Sequence, residues 1–458
     1  MGGVMINTTK YIKTVPFSKL CNWSVQYLSE TPISFNTNYP LVRIGNFLKR
    51  NKTAVNIQDS TWYKRATIKV RNGGVFLRDQ EIGFNIGTKN QFVIKEGQFL
   101  LSKIDARNGA VGVVPPELDE AIITGNFWTF NVDYSKVNPF YLSLVTTTPE
   151  FIQFCNMASN GTTNRHYLQE SLFLDIQIPL PSLEEQNELV ASYNRQKELA
   201  SGLQRQVLQI EQEIEEYLLG KLGITIHEDT TKVASGLQFI CYKELQKWAI
   251  SEIYKGSKYS FDTAKYNIKN IGQVITFLEG GKTPSMTRKD YWGNDVFWVS
   301  AKDMKEFHLR TITDKLSHKG VSEAKLKLYP SGTILAVFRS GILRHSFPIC
   351  ITEVPVTINQ DIKAIGVNEE IVSPHYLLHY LSVLQNLVLE RAQKKGVTVE
   401  SINTEDFVNI PIVCPNKEEQ KEIVTHISTL KDKIENLRNQ ADVCRITALR
   451  DFEQNIFQ

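Results

Sequence analysis

Two stretches of this chain carry apolar residues at alternating spacings of four and three. In the first, Leu203, Val207, Ile210 and Ile214 recur, continued by Tyr217 or Leu218. In the second, Ile427, Leu430, Ile434, Leu437 and Ala441 recur, continued by Cys444 and Ala448. This is the narrow seam of a coiled coil. The flanks are charged, with Glu211, Glu213, Glu215 and Glu216 in one run and Lys431, Asp432, Lys433, Glu435 and Arg438 in the other. Each run is about 40 residues long, or about 60 Å of helix at roughly 1.5 Å per residue. Seams of roughly three to four heptads leave a lone helix marginal in water, so the two runs are expected to pair with each other. Packing of each helix on its own globular neighbour is the simpler alternative.

Ahead of each run the pattern shortens to strands and turns. Residues 66–70 alternate apolar and polar and lead into the turn cluster RNGG at 71–74. Residues 97–104 form a further strand, closed by a turn at 107–109. Residues 110–114 and 121–124 add shorter strands, and a helical passage begins at Pro139 and extends to about 158. The second half repeats the order: 332–338 answers 97–104, and 374–380 answers the helix start at Pro139.

The wording repeats as well. FSKLCNWSV at 17–25 is echoed by YKELQKWAI at 242–250, and VRIGNFL at 42–48 by IKNIGQVI at 268–275. GTT at 161–163 matches GVT at 396–398, Phe173 matches Phe407, and IPLPSLEEQ at 178–186 matches IVCPNKEEQ at 412–420. A period this long exceeds the roughly 20–50 residues of a solenoid repeat, so it marks a duplicated domain followed by a helix. The organisation expected is a first domain at 1–181, a helical arm at 182–222, a polar linker at 223–241, a second domain at 242–415 and a last arm at 416–458. The fold class is α/β in the α+β sense: two related mixed domains joined by two long helices that are expected to pair with each other.

The 458 residues suit roughly two to four domains with cores of their own. A net charge of +3 does not by itself indicate nucleic acid, so any such case rests on where the charges lie. No apolar stretch approaches the roughly 18–20 residues that span a bilayer, and the start of the chain lacks the pattern of a secretory signal. The cysteines Cys21, Cys155, Cys241, Cys350, Cys414 and Cys444 are scattered without a C-x-x-C pair, against a zinc site or disulfide framework. A cytoplasmic protein with free thiols is expected.

Catalytic constellations are missing. NPFY at 138–141 lacks the second proline of an adenine-methyltransferase motif and reads as a helix N-terminus with Pro139 at its first position. GGKT at 280–283 has Thr276 where a phosphate-binding loop needs glycine, and reads as a turn. His375 and His379 share one helical face without an acidic or cysteine partner nearby, which favours packing over a metal, and no G-x-S-x-G elbow is present.

Basic residues instead gather at equivalent loops. In the first half Lys64, Arg65, Lys69, Arg71 and Arg78 surround the turn containing Asn72, with Lys103, Arg107 and Asn108 at the next. In the second, Lys282, Arg288, Lys289, Lys302, Lys305 and Arg310 lie among Tyr291, Trp292 and Trp298, with Arg339 and Arg344 placed as Lys103 and Arg107 are. Lysine and arginine neutralise phosphates, while Arg107, Arg339, Arg344, Asn72 and Asn108 could read base edges. Ordinary solvated loops are the alternative.

The doubled P-x-x-E-E-Q ending, each followed by a long helix, together with the echo of 17–25 at 242–250, resembles the DNA-specificity subunit of type I restriction–modification systems over essentially the whole length. The resemblance implies two target-recognition domains joined by the two long helices as an antiparallel coiled coil with approximate twofold symmetry, each domain reading half of a split DNA site and the coil setting the gap. It implies two methyltransferase subunits that bind S-adenosylmethionine and two restriction subunits that use ATP and magnesium, with neither cofactors nor a metal in this chain. It supplies no fixed set of base-reading residues. An intramolecular coil predicts a monomer when the chain is alone. A coiled-coil scaffold that binds proteins, and not specific DNA, would instead be an intermolecular dimer.

Overall fold

The computed structural model describes residues 36, 38–70, 73–149, 151–152, 159–160, 167–227, 258–394, 396 and 399–457. The echoed segments 17–25 and 242–250, the candidate site residues Arg71 and Asn72, the 161–163 motif and Cys21, Cys155 and Cys241 lie outside them. The chain divides into two units, Met1–Gly202 with Gln440–Gln458, and Leu203–Asn439.

Each unit is built on the same antiparallel frame. In the first, the strands run in the order Leu48–Asn51, Phe127–Val132, Phe99–Ser102 and Val111–Val113. In the second the order is Ile275–Gly280, Ile362–Val367, Ile334–Val337 and Ile349–Thr352, with His308–Leu309 added parallel at the edge. Phe99–Ser102 and Ile334–Val337 are buried at every position, which is why both read as unbroken apolar runs, not alternating ones. A short ladder precedes each frame: Leu41–Arg43 pairs with Gln177–Pro179, and Asn267–Asn270 with Pro411–Cys414. The chain then makes a helical turn, Ile44–Asn46 or Ile271–Val274, before entering the sheet. Its glycine is needed for close approach. A Cβ on Gly45 would lie 3.1 Å from the Leu174 carbonyl oxygen, and one on Gly272 would lie 3.2 Å from Val408 Cβ.

Pro139 does open a helix, with Asn138 as its cap: the Asn138 side chain accepts the N–H groups of Phe140 and Tyr141. That helix stops at Val145; residues 149 and 151–152 are helical again, and residues 153–158 of the expected helical passage lie outside the described residues. The hydroxyls of Thr146, Thr147 and Thr148 turn back to carbonyls three or four residues earlier, the local bonding that competes with helix continuation.

The arms are the continuous helices Leu183–Leu222 and Lys417–Phe457. A capping box starts the first, with Ser182 N–H donating to Glu185 at 2.9 Å and Glu185 N–H to Ser182 Oγ at 3.3 Å. In the second, Glu419 N–H donates to Asn416 Oδ1 at 2.9 Å. Within the second unit the two helices run antiparallel, joined by Glu211–Arg438 and Lys221–Glu422 ion pairs at 2.6 Å and by the tilted rings of Tyr217 and His426, 4.0 Å apart. Val207, Ile210, Ile214, Ile427, Ile434 and Leu437 are buried, and Leu203 and Leu430 partly so, in one core that also contains Ile334–Val337. The helices therefore pair with each other and pack on the globular part; the two readings of the seam are not exclusive. Of the two candidates for its continuation, Leu218 is the buried one. Ala441 and Ala448 are buried in the first unit's share of the arm.

The end of each arm fills a core. In the first unit Phe452, Ile456 and Phe457 join Tyr141, Val145 and Val190, and Asn36 N–H donates to the Ile456 carbonyl at 3.0 Å. In the second, Leu218 and Leu222 hold the same positions counted from Gln186 that Phe452 and Ile456 hold from Gln420. Residues 223–226, placed in the linker by sequence, belong to the folded unit: Ile224 is buried, and the exposed strand Thr225–Ile226 pairs with Tyr259–Ser260. No helix among the described residues is long and apolar enough to cross a membrane.

The repeated E-E-Q ending locks each arm to its frame. Gln186 is buried; its Oε1 accepts Asn138 N–H at 2.8 Å, and its Nε2 donates to the carbonyls of Pro181 at 2.9 Å and Lys136 at 3.2 Å. Gln420 repeats this with Ser373 N–H at 2.8 Å and the carbonyls of Pro415 and Ile371 at 2.9 Å. Tyr141 and Tyr376 add matching bonds to the Pro179 and Val413 carbonyls. The glutamine thus faces inward, while Glu184 and Glu418 are exposed.

Candidate nucleic-acid interface

The units diverge where the first frame strand leaves for the segment that precedes the central one. In the first unit this segment contributes most of a five-stranded sheet, ordered Ala54–Asn56, Asn90–Val93, Ile122–Ile123, Trp62–Lys69 and Gly74–Ile82. In the second it contributes to a three-stranded sheet, Lys315–Leu316, Trp292–Val299 and Val356–Ile358, with the helix His318–Glu323.

The predicted cations of the first unit fall on a long hairpin. Trp62–Lys69 pairs with Gly74–Ile82 through a bulge between Arg65 and Ala66. A two-stranded ribbon of this kind fits the major groove of B-DNA. Lys64, Lys69 and Arg78 are exposed on it, as is Trp62, at 65% of its surface. Arg65 is engaged differently: it grips Asp79 by two bonds of 2.5 and 2.9 Å, which hold that carboxyl below its ordinary range. Lys64 Nζ donates to the Glu117 carbonyl at 2.9 Å. At the next turn, Ala106–Asn108, Asn108 Nδ2 donates to Asp105 at 3.1 Å. Arg107 belongs to that turn by its backbone. Lys103 is half-buried; burial and then the nearby Arg50 lower its pKa.

In the second unit the predicted arginines are exposed, and each is paired with a carboxylate. Arg288 binds Asp290 by two bonds and Glu323 by one, with its guanidinium 4.4 Å from the Tyr291 ring centre. Hydrogen bonds from Arg288, then from Lys319, hold Asp290 well below the usual carboxylate range. Lys302 pairs with Asp314 at 2.7 Å and Arg310 with Glu353 at 2.6 Å. Arg339 and Arg344, expected to read bases, each hold a carboxylate of this chain. Arg339 neutralises Asp361 at 2.6 Å, and Arg344 neutralises the nearly buried Glu400 at 2.6 Å. Both therefore fix the loop that follows the central strand. Lys282 and Lys289 are exposed.

His379 lies in the core, with Nε2 3.1 Å from Ser428 Oγ and its ring stacked on Phe307. Burial, then the neighbouring Lys431, lowers its pKa to about 3. Sequence reasoning missed Arg50 and Lys52, which face Glu170, and the pair Lys325 and Lys327 beside Gly280. None sits in a motif or beside a turn signal; only the strand pairings bring them to the start of the inserted segments.

These features can be set beside known proteins. The specificity subunit of the Escherichia coli type I restriction enzyme EcoR124I/EcoR124II is 32% identical over 187 residues, which is 41% of this chain and 45% of that protein. The MjaIX specificity subunit of Methanocaldococcus jannaschii is 31% identical over 189 residues, 41% of this chain and 42% of its own. The aligned region thus takes in less than half of either relative. A solved structure described as the basis of complex assembly and conformational transition in the type I restriction–modification system aligns over 93% of this chain and 98% of its own. Its TM-score of 0.55 at 17% identity is a likeness of fold. The type I restriction modification DNA specificity domain matches residues 26–219 and again 263–443, so the chain belongs to that family and carries its pattern twice.

Proposed function

We propose that this chain is the sequence-reading subunit of a type I restriction–modification complex, each unit recognising one half of a bipartite, asymmetric duplex site. The observation that carries this reading is one four-strand frame built twice, with unlike subdomains inserted at the same point. Two independent specificities on a common scaffold need that arrangement. The arm helices set the separation of the half-sites and, with the outward Glu184 and Glu418 at their starts, offer equivalent docks for two methyltransferase subunits and through them two restriction subunits. Chemistry resides in those partners: S-adenosylmethionine on the methyltransferases, ATP and magnesium on the restriction subunits. The complex acts in the cytoplasm, and this chain supplies recognition without catalysis.

Mapping methylated adenines in the source genome, with and without the gene for this chain, tests the reading. One split motif that disappears with the chain is expected. Exchanging residues 17–180 for the matching part of a related subunit should change one half of that motif only. A change in both halves, or a complex without sequence preference, would defeat it.

A further inference from the structure

The first frame strand of the second unit, Ile275–Gly280, ends beside an open cleft of about 330 Å³. Lys282, Lys325 and Lys327 border it, with Glu279 as the one lining carboxylate. Lys327 is held, 2.6 Å from Glu279 and over the rings of Phe277 and Tyr329. Lys282 and Lys325 have no carboxylate at ion-pair distance among the described residues, unlike Arg288, Lys302, Arg310, Lys319, Arg339 and Arg344 of the same unit. The backbone at Lys282 is fixed on both sides: its N–H donates to Ile358 at 3.0 Å, and its carbonyl accepts the Trp298 indole N–H at 3.2 Å.

Lys325 occupies an unusual place. It ends the helix His318–Glu323 through a Schellman turn, in which Leu326 N–H donates to Val321 at 2.9 Å and Lys325 N–H to Ser322 at 3.1 Å. Its φ of 51° lies in the left-handed region, where glycine is the residue of least strain. A lysine is kept there at a conformational cost, facing a cleft already rich in positive charge. Strain at such a position points to use.

We propose that this cleft is a phosphate clamp of the second unit, which takes a phosphodiester of the duplex backbone between Lys282 and Lys325. The inference rests on the proposed function and names one contact within it. Two ammonium groups without an ion-pair partner among the described residues suit a phosphate better than a base, and the Tyr329 ring that also lines the cleft is already covered by Lys327, so the clamp positions the duplex without reading it. Phosphate chemistry has a second source, a free inorganic anion, and the test separates the two.

The full chain, assembled with its methyltransferase partner, is titrated with a duplex carrying the mapped motif over a range of KCl concentrations. Lys282→Gln combined with Lys325→Gly should lower the slope of log K against log salt by about one and weaken binding about tenfold, equally for matched and mismatched motifs. Lys325→Gly alone should raise the thermal midpoint while weakening DNA binding; a purely structural role would move both together. An unchanged slope in variants of a chain that still reads its motif overturns the clamp and leaves the function standing. A wild-type complex without sequence preference overturns both. Saturable inorganic phosphate binding that the double variant abolishes, with the DNA slope unchanged, assigns the cleft to a free anion and also overturns the clamp.

Discussion

The side-chain oxygen of Gln420 accepts the backbone N–H of Ser373 at 2.8 Å, at the start of the helix Pro374–Val383. Its amide nitrogen binds two carbonyls, so one buried side chain satisfies three backbone groups. Gln186 does the same at Asn138. Replacing Gln420 by leucine should cost about 3 kcal/mol, because buried polar groups are left unpaired. Gln420→Glu should cost no less, since it removes the donor and buries a charge. Calorimetry gives the loss, and hydrogen exchange should show it first in residues 374–383. A loss below about 1 kcal/mol would mean that the clamp contributes little.

Phe452 meets Tyr141 edge-on at 5.9 Å in the core of the first unit. Phe452→Ala should destabilise that unit by about 3–5 kcal/mol, the usual range for a buried aromatic truncated to alanine. Exchange should then accelerate in Phe99–Ser102 and Pro139–Val145, with Ile334–Val337 unaffected. Equal acceleration in both units would show that they unfold as one.

The duplication, the frame strands and the arms were legible because each depends on a short-range pattern: apolar runs for the central strands, a four-three seam for the helices, and a repeated ending at their start. The fate of the cations was not. Whether Arg339 is offered to DNA or spent on Asp361 depends on a partner 22 residues away, and Arg344 meets Glu400 across 56. Charge counting sees the arginine and not its carboxylate. The inward glutamine was hidden for the opposite reason. A polar residue directly after two glutamates reads as surface, although the repeat at Gln186 and Gln420 was visible from the start.

Arg344 gives a direct contrast with the lysine cleft. Its hydrogen bond holds the Glu400 carboxyl below its ordinary pKa. A depressed acid contributes stability that is present above its unfolded pKa and is lost as pH falls through the folded value. Arg344→Gln should therefore lower the thermal midpoint at pH 7 and narrow the gap to wild type as pH falls below about 4. The salt dependence of DNA binding should stay as it was. A lowered slope would return Arg344 to the set of phosphate contacts.

Lys431 carries the converse sign. Its ammonium lies over the Phe307 ring at 3.4 Å and donates to Ser382 Oγ at 2.9 Å. Burial, reinforced by Arg438 and opposed by Glu211, lowers its pKa to about 7, and the adjacent His379 ring is neutral throughout that range. Between pH 7 and the ordinary lysine value the unfolded chain binds a proton that the folded chain does not, so stability rises with pH, by at most about 1.4 kcal/mol per unit. The unfolding midpoint of the second unit should climb between pH 7 and about 9, below the ordinary range of tyrosine. Lys431→Met keeps the stem's packing and removes the titrating group, so it should be more stable than wild type near pH 6 and flatten the profile. A flat wild-type curve over that window would show that the ammonium stays charged against the ring, held by cation–π attraction strong enough to offset its burial.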